Sequence, residues 1–156
     1  MHPNFAALVD QLHAPFERLV AHPPITAARF PARMMTRGVY LFSDGSRHLY
    51  VGRSNDIRRR YGRHCNPGAT DRTAAFAFRL AREATGKIKA TYKTGDGSRK
   101  LLMEDAEFAA AFVTAKARIR EMDFRWVEET DPVRQCLLEV YCAVVLQTPY
   151  NDFDNH

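Results

Sequence analysis

Five arginines and a histidine crowd one short stretch: Arg53, Arg58, Arg59, Arg60, Arg63 and His64. An arginine fork donates two hydrogen bonds at once and so suits phosphate, although a basic run is as often a solvated helix face. Arg60 and His64 stand four apart, on one face of a helix, where both can address a single phosphate. A second candidate is Glu139. Its helical neighbours Gln135, Cys136, Cys142 and Ala143 form a small, weakly polar surface on which a carboxylate needs a partner. The commoner partner is an arginine from elsewhere in the chain; the alternative is a hard cation such as Mg²⁺. Tyr40 and Tyr50 are the third. They read either as a cross-strand aromatic pair or as two phenols lining a site, one of them able to orient or deprotonate a water. A free phenol has a pKa of about 10, so it needs nearby cations to work at neutral pH, and the run beginning at Arg53 offers them.

These residues must be positioned by elements that the pattern also predicts. Gly38–Phe42 and His48–Gly52 are β-rich runs around Asp44-Gly45, a hairpin. A three-residue loop of Asp44, Gly45 and Ser46 would pair Tyr40 with Tyr50, Leu41 with Leu49 and Val39 with Val51. It would gather the aliphatic residues on one face and Phe42, His48 and both tyrosines on the other. A basic helix from Asn55 to about His64, capped by Asn55 or Asp56, follows directly. Residues 4–21 read as one amphipathic helix, stopped by Pro23 and Pro24, and residues 22–36 as a connecting arm. Beyond a loop at 65–70, helices are expected over 71–85 and 103–122 with a Gly-rich loop at 93–100 between them. A strand at 123–129 carries Trp126, expected in the core. Asp131-Pro132 starts a last helix reaching about Leu146.

In this order the residues resemble the GIY-YIG nuclease family. Gly38-Val39-Tyr40 is similar to its first signature and Tyr50-Val51-Gly52 to its second, the second tyrosine ten positions after the first. Arg60 follows Tyr50 by another ten, within Tyr-Val-Gly-Arg-Ser-Asn-Asp-Ile-Arg-Arg-Arg. His64, Glu139 and Asn151 stand where the family carries a histidine or tyrosine, a metal-binding glutamate on a late helix and a terminal asparagine. Valine replaces isoleucine in both tripeptides, and the long segment between His64 and the third strand departs from better-known members. The resemblance spans residues 36–155 and implies hydrolysis of a DNA phosphodiester. It implies that Glu139 holds one Mg²⁺ or Mn²⁺, that Tyr50 activates or positions the attacking water and that Tyr40 supports it. Arg60, assisted by Arg53 and His64, would steady the phosphate charge, and Asn151 would orient the site. Arg53, Arg58, Arg59 and Arg63 become DNA contacts.

The expected fold is α+β: a small three-stranded, mainly antiparallel sheet flanked by helices, with an extra N-terminal helix and arm (1–35) before a nuclease-like domain (36–156). The chain has 156 residues and net charge +5, which permits an acidic partner, and it holds no apolar run long enough to span a membrane. Neither a signal peptide nor a CxxC motif is visible among its residues, so reduced thiols in the cytoplasm are expected. His48, His64 and Cys65 are poorly spaced for zinc. The function expected is a repair- or restriction-like endonuclease, working as a homodimer if both strands are to be cut. The competing readings are a non-catalytic nucleic-acid-binding module on the same fold, and an interaction protein whose N-terminal helix docks a partner.

Overall fold

A computed structural model describes residues 1–25, 30, 36–87 and 97–153. The expected arm at 22–36 and loop at 93–100 lie partly outside them. The chain divides into two compact units, Met1–Arg60 with Met122–Asp152 and Tyr61–Glu121 with Phe153–His156.

The first unit is built on three antiparallel strands, β1 (Gly38–Asp44), β2 (Arg47–Ser54) and β3 (Asp123–Glu128), ordered β2-β1-β3. The hairpin turns through Gly45 and Ser46, with Asp44 paired to Arg47. Only Gly45 of the two takes a positive φ, 58°, which a residue without a Cβ adopts cheaply. The register then slips at a bulge: Ser43 pairs with His48 but Phe42 with Tyr50, leaving Leu49 as the extra residue. Tyr40 therefore faces Gly52, not Tyr50, and Leu41 faces Val51. This corrects the three-residue loop. Beyond the bulge the slip is two residues, so the aliphatic and aromatic faces form there as expected although each pairing changes; His48, expected beside Phe42 and the tyrosines, instead pairs with Ser43.

Val39, Leu41, Val51 and Val127 turn the aliphatic face onto Leu12, Leu19, Leu138, Cys142 and Ala143. These come from α2 (His13–Ala21) and α7 (Pro132–Leu146), with Leu12 just ahead of α2. Fully burying each of the valines and leucines contributes about 1.5–3 kcal/mol. The N-terminal segment is two helices rather than one, α1 (Pro3–Val9) and α2. Pro15 explains the break: its ring excludes a continuous helix, yet it is tolerated in the first turn of α2, where the backbone N–H groups have no helical partner. Because α2 spends its apolar side on its own sheet, that side is not available to a partner. Past Ala21 the chain crosses to β3, where Ile25 and Phe124 exchange two backbone hydrogen bonds of 2.9 and 3.0 Å.

Helix α7 is capped as expected, Asp131 Oδ1 accepting from the Arg134 N–H at 2.8 Å. In α3 (Ile57–Cys65) the cap is Asp56, which accepts from the Arg59 N–H at 2.9 Å. The second unit packs α4 (Ala75–Ala84) on α6 (Ala106–Glu121) through Phe78 and Phe108, whose ring centroids are 5.0 Å apart. The single helix expected over 103–122 is broken: α5 (Arg99–Glu104) ends at Asp105, which starts α6 by accepting from the Phe108 N–H. Lys116 is buried there, over the Phe112 ring, and donates to the carbonyls of Pro67 and Ala69 at 2.6 and 3.0 Å. Burial lowers its pKa.

Candidate active site

The hairpin register seats Tyr40. A Cβ on Gly52 would lie 2.2 Å from the Tyr40 hydroxyl oxygen, so only glycine leaves room for the phenol across the strand. Tyr40 is 1% exposed. Its ring meets Phe42 edge-on, stacks on Phe124 at 5.6 Å and lies 6.3 Å from the Tyr50 ring. The two tyrosines are thus diagonal neighbours rather than a directly opposed pair. Arg60, one turn into α3, donates from Nε to the Tyr40 oxygen at 3.2 Å and also hydrogen-bonds Tyr50. Burial pushes the Tyr40 phenol well up, Tyr50 pushes it further, and Arg60 offsets only part of this. Tyr40 is therefore a neutral phenol at physiological pH, fit to hold its neighbours but not to act as a base. For Arg60, burial disfavours the charge, but Tyr40 and Tyr50 outweigh it and the net shift is upward.

Glu139 projects from α7 toward β2. Arg53 donates from Nε to its Oε2 at 2.9 Å, so the arginine partner weighed from the sequence is Arg53. Burial raises the Glu139 pKa; Arg53 and, more weakly, Arg60 work against that rise. The Glu139 charge also reaches Tyr40, adding to that phenol's upward shift. One carboxylate, two guanidinium groups and two phenols thus sense one another inside the first unit.

Asn151 performs a different task. β2 is an edge strand, and Val51 turns its N–H and C=O outward. Asn151 Oδ1 accepts from the Val51 N–H and Nδ2 donates to the Val51 carbonyl, both at 2.8 Å. The side chain mimics one more strand residue. Thr148 fixes it by donating from Oγ1 to the same Oδ1 at 2.8 Å, and the Tyr150 N–H reaches the Leu49 carbonyl at 3.2 Å.

The remaining candidates are placed differently. His64 belongs to the second unit and is fully buried, edge-on to Phe76. This corrects the expectation that it reaches a phosphate from a shared face with Arg60: the histidine is enclosed, and Arg60 is turned to the tyrosines. Arg58, Arg59 and Arg63 are exposed on α3. Trp126 is only partly buried, with His22 at 4.1 Å between ring centroids. The role of Gly52 as the seat of Tyr40 was not read from the sequence, because it depends on the register that sets the two opposite each other.

Among the described residues no group of three or more His, Cys, Asp or Glu side chains could enclose a metal. Glu139 alone does not suit zinc. It does suit Mg²⁺ or Mn²⁺, which keep several waters and accept one carboxylate completed by substrate phosphate. Compared with known protein families, with characterised proteins and with solved structures, the chain matches none.

Proposed function

We propose that this protein is a divalent-metal-dependent DNA endonuclease of the GIY-YIG type, hydrolysing phosphodiester bonds. The observation that carries the reading is the convergence of Tyr40, Tyr50, Arg60 and Glu139. These residues, up to 99 positions apart in the chain, meet in one unit, with Arg60 bonded to both phenols and Glu139 in electrostatic reach of Tyr40 and Arg60.

Glu139 would hold one Mg²⁺ or Mn²⁺. Bound there, the ion supplies Lewis-acid stabilisation of the phosphate and the leaving oxygen. The rest falls to the chain's own side chains. Arg60 neutralises charge that grows on the phosphate oxygens, and it is held ready because Tyr40 fixes its Nε. Tyr50, partly exposed where Tyr40 is not, positions or deprotonates the attacking water. Gly52 keeps Tyr40 in its seat, and Asn151 holds the edge of the strand carrying Tyr50. Exposed Arg58, Arg59 and Arg63 bind the DNA backbone.

The test is cleavage of supercoiled plasmid and of branched or flapped oligonucleotides in Mg²⁺, Mn²⁺ or EDTA, with Glu139→Gln alongside. Metal-dependent cutting lost in the variant is expected. DNA binding without cutting under every condition would replace the enzyme with a non-catalytic binding module on the same fold.

A further inference from the structure

The Arg53–Glu139 pair lies at the edge of the candidate site rather than inside it: the arginine side chain is 45% exposed and the glutamate side chain 23%. Such a pair contributes little to stability and exchanges readily. Its geometry matters more. Among the described residues Arg53 is the cation bonded to Glu139, and a divalent ion would bring twice the charge to the same carboxylate. Two cations within a few ångströms repel, so one of them must leave. Arg53 is the one able to move. It uses only Nε on Glu139, and its exposed guanidinium has the planar fork that binds phosphate.

We propose that Arg53 is a placeholder cation, resting on the nuclease reading above. Before metal arrives it holds the Glu139 carboxylate in place. A divalent ion displaces it, and the released guanidinium turns to a DNA phosphate. Metal loading and DNA loading are thereby coupled through one side chain, and Arg53 acts as a positioning residue. Besides Tyr40 and Cys142, which sense the Glu139 charge, two groups act on the carboxylate in the same direction as the Arg53 side chain: Arg60 and the backbone N–H of Arg53. Both are fixed in place: Arg60 is tied to the tyrosines, and the N–H belongs to the strand.

The experiment titrates Mn²⁺ into DNA-free protein and follows free Mn²⁺ by electron paramagnetic resonance, comparing wild type, Arg53→Gln, Arg53→Lys and Glu139→Gln. Removing the competing charge in Arg53→Gln should tighten Mn²⁺ binding roughly fivefold or more, whereas Arg53→Lys should stay within about twofold of wild type. Glu139→Gln should abolish the site. The two arginine variants guard against a folding artefact, since both keep a long polar side chain and only one keeps the charge. Equal Mn²⁺ affinity in wild type and Arg53→Gln, with binding still dependent on Glu139, overturns the placeholder and leaves the nuclease reading standing. No Glu139-dependent Mn²⁺ binding in any variant overturns both. A second arm measures binding of a short DNA duplex with and without Mn²⁺ in a Tyr50→Phe background. Mn²⁺ should improve DNA affinity roughly threefold more when Arg53 is present than in Arg53→Gln. An equal gain overturns the transfer of Arg53 to DNA.

Discussion

The two ends of the candidate site live under opposite conditions. Tyr40 is sealed between a glycine, two phenylalanines and a guanidinium, and its phenol stays neutral. Glu139 stands at a half-open rim, bonded to an arginine that water also reaches. The sealed end tolerates little change, because each contact has a fixed partner at a fixed distance. The open end is held more loosely, because its partner is a half-exposed arginine bonded through Nε alone. Phosphoryl chemistry by positioning and charge neutralisation needs both: a rigid frame for the arginine and a carboxylate whose counter-charge can be replaced.

The most severe way to break the comparison is at the open end. Glu139→Gln should lower the cleavage rate by about 10³-fold or more while the protein stays folded, checked by plasmid nicking beside circular dichroism. At the sealed end, Arg60→Ala should cost about 10²-fold in rate but roughly threefold or less in DNA affinity, because its bond strengthens as phosphate charge grows. A loss confined to affinity would make Arg60 a mere DNA contact. Gly52→Ala should cost about 1–3 kcal/mol in denaturant unfolding, since its methyl meets the Tyr40 hydroxyl and ring with no space to yield. Asn151→Ala removes two bonds to Val51 and should cost about 1–3 kcal/mol, with water repairing part of the loss at the edge. The smallest effect sharpens the contrast. Burial raises the Glu139 pKa above its unfolded value, so the stability this carboxyl contributes is present at low pH and lost as pH rises through the folded value. Glu139→Gln should therefore raise Tm slightly at pH 8, and the gain should vanish near pH 4.

Much of the frame was legible in the sequence because alternation reports faces, and faces survive a two-residue slip. Val39, Leu41 and Val51 share one face, and Tyr40 with Phe42 the other, as the alternation predicts even though every partner was misassigned. The bulge at Leu49 was not legible, since nothing local distinguishes a residue that leaves the ladder from one that stays. Pro15 and Asp105 carried readable signals, a missing N–H and a capping carboxylate, which the strong apolar periodicity around them masked. The site residues emerged from order and spacing. Their partners did not: that Arg53 meets Glu139, or that Asn151 bonds a strand edge, depends on contacts between positions 86 and 100 residues apart.

On the other side of β1 the unbroken register with β3 sets Tyr40 directly opposite Trp126. Trp126 is the chain's sole tryptophan. A phenol excited there passes its energy to an indole one strand away, so the protein carries its own optical reporter. Its emission reports on the aromatic face of the sheet, with no label attached.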